Sequence, residues 1–380
     1  MTDENKSHTP DSSPRFILRE GRLGDDAQIC ALMRSISMPG RISLTMDCEP
    51  SFFNAIEVEG YAHRVIVAES NHQLVGVGLM SKRRMFLNGT PADVGYFSSL
   101  RLVPSIRNKN TLAQGVRIIR QWHHEGFGVP FYLCAILQDN RTARNMLTSN
   151  RVGLPANKNV GTLYAAAIPL LKRRHPRPPD GIRVVRGSAV GAVRIAEFLN
   201  RTGGEKEFFP VYTAEDIMAE DHILRGLRLN DFHVAITGDQ IVGVIACWNQ
   251  LPFRRTLVTG YSGYMRWLKQ FIAPLAKALH MASIPDPGEP LRNVFAACIA
   301  IAGNDQQIFK LLLDTILHNE YDTGKAFLLV GLMEGDPLLP VLRTYLHIPT
   351  RTGIYALAWD GIDAVYKPDG RIPYIELGAL

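Results

Sequence analysis

The chain has 380 residues, of which 46% are hydrophobic and 21% charged, and its formal net charge is +6 at pH 7. This composition excludes a low-complexity or disordered chain, and the length allows two or three domains that each bury a core. The most apolar run, residues 294–302, is far shorter than the roughly 20 residues of a membrane-spanning helix, so we expect no membrane segment.

The sequence begins with a polar stretch, residues 1–14, which we predict to be a disordered tail. This stretch lacks the apolar segment that a secretion signal requires. The five cysteines are an odd set without CxxC spacing. We therefore expect reduced thiols in a cytoplasmic protein, with no disulfide framework and no metal site.

The sequence repeats itself at long range. Residues 67–77 return without a gap as residues 234–244, a shift of 167 positions, and the same shift carries residues 17–19 onto residues 184–186. The repeating units of solenoid proteins are several times shorter. The repeat therefore predicts two similar domains in tandem.

We place the first domain at residues 15–170 and the second at residues 182–380, joined by the basic, proline-rich residues 171–181. No aromatic or groove-reading element accompanies this basic stretch, so we interpret it as a solvated linker and expect no nucleic-acid partner. Lys and Arg outnumber Asp and Glu by 19 to 14 in residues 1–170, against 19 to 21 in residues 182–380. An anionic cofactor is thus better matched to the first domain.

Hydrophobic patterning predicts a mixed α/β fold for the first domain, with helices on both faces of a mixed sheet. Asn88-Gly89 is a strong signal for a tight hairpin turn. In chain order the elements are strand 16–19, helix 25–35, strand 63–70, strand 74–84, strand 94–103, helix 111–125, strand 131–137, helix 140–148 and strand 163–168.

The junction between a strand and a helix at residues 100–113 carries a motif: an apolar pair, Pro104, two residues, Arg107, and then a loop that opens a long helix. The N-terminus of a helix exposes unpaired N–H groups and a partial positive charge, to which Arg107 and Lys109 add full charges. Such a loop suits a pyrophosphate.

This motif resembles the acyl-CoA-binding segment of the GNAT acetyltransferase superfamily, and the whole chain is similar to bacterial tandem-GNAT proteins. The resemblance implies two GNAT-like acyltransferase domains and acetyl-CoA, or another acyl-CoA, as co-substrate. The family usually has glycines where this chain has Asn110 and Leu112. The cofactor-binding residues that the resemblance implies are Leu102, Val103, Arg107, Asn108, Lys109, Asn110, Thr111 and Asn140.

The resemblance transfers less well to acid–base chemistry. GNAT enzymes frequently have glutamates at the positions of Tyr96 and Ser98, and a tyrosine acid at the position of Leu147. Tyr96 and Ser98 are the polar side chains left at suitable positions, so they are our candidate catalytic residues. A purely structural role for both stays open.

The second domain repeats the architecture without the basic loop, because alignment places Asp305 opposite Arg107. A carboxylate there disfavours a pyrophosphate. Between its third and fourth strands this domain has an insertion, residues 260–290, whose aromatic and apolar residues recur at helical spacing. The inserted helix either packs on its own domain, covers the acceptor cleft of the first domain, or forms an oligomer interface.

The sequence thus favours an acyl-CoA-dependent N-acyltransferase, with acetyl as the expected acyl group and an amine of a small molecule or peptide as acceptor. The donor is expected in the first domain, and a homo-oligomer is possible. Two alternatives stay open: a catalytically silent ligand-binding module, and catalysis by the second domain.

Overall fold

The computed structural model of the chain describes residues 16–38, 42–106, 109–149, 153–263, 267 and 285–380. The predicted tail and most of the predicted insertion helix lie outside these residues. None of the described helices is both long enough and apolar enough to cross a bilayer.

The first half follows the predicted order of elements, with one strand, β2, and one short helix, α2, that the sequence analysis missed. The tight turn between β4 and β5 has left-handed backbone at Asn88 (φ 48°) and Gly89 (φ 78°), as the Asn-Gly pair predicts. The elements are β1 (Ile17–Glu20), α1 (Asp26–Ser35), β2 (Ile42–Asp47), α2 (Phe52–Ala55), β3 (Ala62–Ser70), β4 (Gln73–Leu87), β5 (Thr90–Leu102), α3 (Lys109–Trp122), β6 (Tyr132–Leu137), α4 (Arg141–Leu147) and β7 (Ala156–Pro169).

The second half repeats this order except that β2 has no counterpart among its described strands and β11 is additional. The repeated sequence forms equivalent hairpins, β3–β4 and β9–β10. Its elements are β8 (Ile182–Arg186), α5 (Ala192–Gly203), α6 (Ala214–Ala219), β9 (Phe232–Thr237), β10 (Gln240–Trp248), β11 (Arg255–Tyr261), β12 (Asn293–Ile301), α7 (Gln306–Glu320), β13 (Phe327–Met333), α8 (Leu339–Leu342), β14 (Ile348–Ala358) and α9 (Ile362–Val365).

One sheet of 12 strands runs through both halves, in the order β1-β3-β4-β5-β6-β14-β7-β13-β12-β10-β9-β8. The last strand of each half is exchanged. β14 of the second half lies between β6 and β7, and β7 pairs with β13 of the second half. Each half therefore completes its sheet with a strand from the other, which the tandem repeat alone does not predict.

A second connection joins the halves through a small antiparallel sheet of β2 and β11. At its end the Asp47 carboxylate lies 2.6 Å from both the Arg255 and the Arg34 guanidinium groups. β2 and β11 thus join a segment of the first half to the strand that precedes the insertion of the second.

The parallel pair β5 and β6 separates soon after it forms. The strands pair from Gly95 with Tyr132 to Phe97 with Cys134, and pairing then ends. Ser99, two positions further along β5, has a left-handed φ of 54°, and the register with β4 shifts there, as in a β-bulge. The second half repeats this geometry, because β12 leaves β13 after Ala296 and has φ 52° at Cys298. Each half therefore contains a cleft between diverging parallel strands.

The last residues, 366–380, form a C-terminal segment that ends in the 3-10 turn Leu377–Ala379. It contacts the first half, where the Asp369 N–H donates to Asn88 Oδ1 over 3.0 Å, and also the second half. The Tyr374 N–H donates to the Glu207 carbonyl oxygen over 2.7 Å, and the Gln250 side-chain amide donates to the Gly378 carbonyl oxygen over 2.6 Å. Gly378 lies so close to the Trp248 ring that a Cβ atom there would approach it to 2.8 Å. The segment is thereby fixed along the second half and brings its final residues to the cleft of the first.

Candidate functional site

The cleft beside β5 and β6 is lined by both halves and by the C-terminal segment. Its polar side chains are carboxylates, phenols and one guanidinium, and the rest of its lining is mainly apolar. The lining residues are Glu59, Arg83, Met85, Tyr96, Leu133, Cys134, Ala135, Phe208, Ile354, Tyr374, Ile375, Glu376, Ala379 and Leu380. Residues far apart in sequence thus meet where the two strands diverge.

Glu59 is a carboxylate in this cleft that the sequence analysis missed, and it is only 3% exposed. Its Oε2 accepts a hydrogen bond of 2.5 Å from the Ser98 hydroxyl, and its Oε1 lies 3.5 Å from Arg254 Nη2. Burial raises the pKa of Glu59, while the charge of Arg254 and the Ser98 hydrogen bond act in the opposite direction. A buried carboxylate with a raised pKa is suited to accept a proton.

The local backbone explains how Glu59 reaches the cleft. It ends the short 3-10 turn Ile56–Glu59, and Gly60 follows. A Cβ on Gly60 would lie 2.2 Å from the Lys82 carbonyl oxygen, so only glycine allows β4 to pass this closely. The turn therefore packs against β4 and directs the Glu59 carboxylate to the next strand, β5.

The two predicted catalytic residues, Tyr96 and Ser98, are two positions apart on β5 and therefore lie on the same face of the sheet. Tyr96 packs against the apolar cluster around Leu133 and Ile354. Burial raises the pKa of Tyr96 well above its usual value, and the charges of Glu59 and Cys134 raise it further. The phenol therefore stays protonated at neutral pH.

A second phenol, that of Tyr355, lies near the point where β5 and β6 diverge. Tyr355 of the exchanged strand β14 is opposite Cys134 of β6, in a small cluster against which Leu147 packs. Leu147 holds the position where the resemblance implies a tyrosine acid. Strand exchange thus places Tyr355 in the cluster against which Leu147 packs.

At the predicted donor loop, two groups have structural partners. The Val103 N–H donates to the Val75 carbonyl oxygen over 2.9 Å, and the Thr111 hydroxyl donates to the Ile106 carbonyl oxygen over 2.7 Å. Thr111 is buried. These contacts hold β5 and the first turn of α3 around the loop.

The other predicted cofactor residues surround these two. Leu102 is the last residue of β5, and Lys109 and Asn110 begin α3. The side chain of Asn140 caps α4, because its Oδ1 accepts from the Ala143 N–H over 3.1 Å. Arg107 and Asn108 lie outside the described residues.

In the second half, carboxylate side chains of the protein occupy the positions equivalent to the donor loop and to the cleft of the first half. At the start of α7, Asp305 Oδ1 accepts from the N–H groups of Gln307 (2.7 Å) and Ile308 (3.1 Å). In the cleft, Glu376 Oε2 accepts from the Cys298 N–H over 2.8 Å. Carboxylates of the protein thus already bind the backbone donors that an anionic ligand would need.

The cysteines are all free: Cys30, Cys48, Cys247 and Cys298 are buried, and Cys134 is half-buried at the cleft. Within the described ranges, no three His, Cys, Asp or Glu side chains lie close enough together to hold a metal ion.

Comparison with solved structures reveals similar folds along most of the chain. A GCN5-related N-acetyltransferase from Sphaerobacter thermophilus is 13% identical, with a TM-score of 0.59, over 98% of this chain and 100% of that one. Two structures of Saccharomyces cerevisiae N-myristoyltransferase with bound myristoyl-CoA are each 9% identical over 93% of this chain. Their TM-scores are 0.59 and 0.56, over 81% and 85% of their own lengths.

No protein-family model matches the sequence, and no curated protein is similar enough in sequence to match. The structural similarity therefore establishes the fold, and the predicted GNAT resemblance is confirmed at that level.

Proposed function

Because the chain has the GNAT fold along nearly its whole length, we propose that it is an acyl-CoA-dependent N-acyltransferase. The acceptor is an amine of a small molecule or peptide, and the donor is acetyl-CoA. The observation that carries this proposal is the buried Glu59 carboxylate hydrogen-bonded to Ser98 where β5 and β6 diverge, with Tyr96 on the same face. These groups supply a base and an acid next to a cleft between parallel strands.

The donor binds in the first half in this proposal. Leu102, Val103 and the loop and helix start from Arg107 to Thr111 hold its pantetheine and pyrophosphate, with Asn140 nearby. Two observations favour the first half over the second. Asp305 already caps the start of α7, and Glu376 already binds the amide at the second bulge. This weighs against catalysis by the second domain.

The chemistry follows from the positions of three side chains. Glu59 takes the proton of the acceptor amine, directly or through the Ser98 hydroxyl, and the neutral nitrogen attacks the thioester carbon. A backbone N–H on the diverging edge of β5 stabilises the oxyanion. The C–S bond then breaks, Tyr96 gives its proton to the leaving thiolate, and the resulting tyrosinate takes the second proton of the attacking nitrogen. The products are an amide and CoA, and Glu59 releases the first proton to solvent.

The aromatic residues beside the point where β5 and β6 diverge favour a short acyl group. The rings of Phe97 and Tyr132 stack at 4.2 Å, and Tyr132 is fully buried. Tyr132 lies so tightly over Gly95 that a Cβ there would approach its ring to 2.2 Å. These rings occupy the face of β5 opposite to Tyr96 and Ser98, and we take this packing to favour a short acyl group over a long one.

The proposal is tested by incubating the full chain with acetyl-CoA or myristoyl-CoA and a broad panel of amines and N-terminal peptides. Release of free CoA and mass spectrometry of the products measure transfer. We expect amine-dependent CoA release with acetyl-CoA, and little with myristoyl-CoA. Calorimetric binding of acetyl-CoA without transfer to any amine would instead support the silent ligand-binding module.

A further inference from the structure

Two side chains of the C-terminal segment, Tyr374 and Glu376, line the first cleft and also bind the diverging strand β12 of the second half. Glu376 Oε2 accepts from the Cys298 N–H over 2.8 Å, and the Tyr374 hydroxyl accepts from the Ile299 N–H over 3.1 Å. The same hydroxyl donates to Glu376 Oε2 over 2.8 Å. Two consecutive backbone donors of β12 thus bind one connected pair of side chains.

These donors lie at the position that corresponds to the active cleft of the first half. Cys298 and Ser99 are the left-handed bulge residues of β12 and β5, each at the point where the parallel neighbour departs. In the first half this edge faces the proposed donor. In the second half, the chain's own carboxylate and phenol take that place.

The contact is buried and therefore strong. Tyr374 is 3% exposed, Glu376 is 4% exposed, and Cys298 is fully buried. Leaving a buried carboxylate or amide without its hydrogen-bond partner costs more than the net gain from one exposed hydrogen bond. Residues 374–376 therefore have little freedom to leave this cleft.

The residues that follow contact the proposed base through one arginine. Arg254, 9% exposed, donates from Nη1 to the Gly378 carbonyl oxygen over 3.3 Å, and from Nη2 to the Leu380 carbonyl oxygen. The same Nη2 lies 3.5 Å from Glu59 Oε1. The position of Arg254 beside Glu59 thus depends on the carbonyl groups of residues 378–380.

We infer that the cleft of the second half holds the C-terminal segment in place, through contacts of Tyr374 and Glu376 that we call the clamp. Tyr374 and Glu376 are positioning residues. They fix residues 378–380, and through these residues they hold Arg254 beside the Glu59 carboxylate of the first half. This inference rests on the proposed function for the role of Glu59. It assigns the second half a part in the reaction although its own donor sites are filled.

The clamp has an electrostatic consequence. Arg254 lowers the pKa of Glu59 against the opposing effect of burial. If the clamp is released, Arg254 loses two carbonyl acceptors and its alignment with Glu59. The pKa of Glu59 then rises, and a larger fraction of the base is protonated at neutral pH.

The test compares Glu376→Ala with Glu376→Gln, whose amide oxygen can still accept from the Cys298 N–H. Asp369→Asn is the control, because it removes a carboxylate of the same segment whose contacts are exposed. We expect Glu376→Ala to lower kcat about tenfold or more, with the KM for acetyl-CoA within about twofold. The acidic limb of its pH–rate profile should move to higher pH. Glu376→Gln should restore most of the activity, and the control should match wild type.

Two measurements do not depend on turnover. Hydrogen exchange at the Cys298 and Ile299 amides should accelerate in Glu376→Ala, and an NMR titration of the Glu59 carboxyl carbon should show a higher pKa. An inactive wild-type protein would overturn the proposed function. The hydrogen exchange and the Glu59 titration would still decide whether the clamp exists. Tyr374→Phe, which removes one hydroxyl, replaces Glu376→Ala if that variant does not fold. Unchanged exchange, or faster exchange with an unchanged Glu59 titration, would overturn the inference.

Discussion

The Ser98 hydroxyl donates to the Glu59 carboxylate over 2.5 Å and so joins β5 of the central sheet to the turn that precedes β3. In the family that the sequence resembles, glutamates frequently occupy the β5 positions of Tyr96 and Ser98 themselves. Here β5 has the Ser98 hydroxyl at one of these positions, and the neighbouring turn Ile56–Glu59 supplies the carboxylate. The proposed base is therefore present at the cleft, but from a different part of the chain.

Glu59→Gln keeps the side-chain volume and removes the base. We expect kcat to fall roughly 100-fold or more, within the range of general acid–base contributions, while calorimetric binding of acetyl-CoA is unchanged. In wild type, kcat/KM should rise with pH through an apparent pKa above about 4.3, the usual value for glutamate, because burial raises the pKa of Glu59 and only the ionised form accepts a proton. The variant should lose this limb.

Glu57→Gln is the matched control for this change. Glu57 lies two positions earlier and pairs with Arg225 over 2.6 Å, away from Ser98. Its turnover should stay near wild type. Equal losses in both variants would show that the turn needs its charges for folding and that Glu59 has no special role in the chemistry.

Tyr96→Phe and Ser98→Ala test the two residues that the sequence points to. Each should lower turnover roughly tenfold or more without weakening acetyl-CoA binding, because each removes a hydroxyl that moves a proton. Tyr355→Phe is the comparison, since that phenol lies opposite Cys134 on the neighbouring strand. If Tyr355→Phe is the slow variant and Tyr96→Phe is normal, the acid is contributed by the exchanged strand.

Donor binding should depend on one half of the protein. Titration calorimetry with acetyl-CoA is expected to give about one site per chain, because the second loop is capped by Asp305. Arg107→Glu reverses a charge that we propose to bind the pyrophosphate, so it should abolish most of the binding. Asp305→Ala should change it little. Two equivalent sites would contradict this assignment.

Stability should depend strongly on one buried ion pair that lies outside the cleft. Lys206 Nζ is 2.7 Å from Asp336 Oδ2, and the two side chains are 7% and 1% exposed. Lys206→Ala leaves a buried carboxylate without its cation and should cost about 3–5 kcal/mol of unfolding free energy in urea titrations. Lys310→Ala breaks the exposed pair with Asp314 and should cost at most about 0.5 kcal/mol.

The second half should be required for activity. Residues 1–170 expressed alone lack β14, so the facing edges of β6 and β7 have no partner. We expect this fragment to be poorly soluble or to turn over slowly. Co-expression with residues 171–380 should restore a soluble complex. Full activity of the fragment alone, with an unchanged acceptor KM, would show that the second half serves a separate role.

Much of the fold could be predicted from local patterns. The repeat identified the paired hairpins β3–β4 and β9–β10, and Asn88-Gly89 fixed the turn before β5. β2 was missed although its sequence, Ile-Ser-Leu-Thr-Met-Asp, alternates apolar and polar residues as strands do. β11, its partner, comes from the other half. Pairing between strands so far apart in the sequence leaves no local sequence pattern that would predict it.

The candidate site was predicted in part. Tyr96 and Ser98 could be selected because strand position decides which side chains share a face. Glu59 could not, because its role depends on contacts 39 residues away with Ser98 and 195 residues away with Arg254. The Glu59-Gly60 pair is a signal in hindsight, since a glycine often marks a close approach of two backbones. The strand exchange has no such signal, because β7 has the same alternation whichever strand lies beside it.

The exchange of β7 and β14 also determines when the strands of the sheet can pair during synthesis on the ribosome. The N-terminal half emerges first, but the strand that belongs between β6 and β7 is synthesised almost 180 residues after β7. During that interval three strand edges of the nascent chain, one of β6 and both of β7, are open to pairing with other polypeptides. Production of this protein in cells should therefore be sensitive to chaperone supply and to pauses in translation after residue 170, even where the finished molecule is stable.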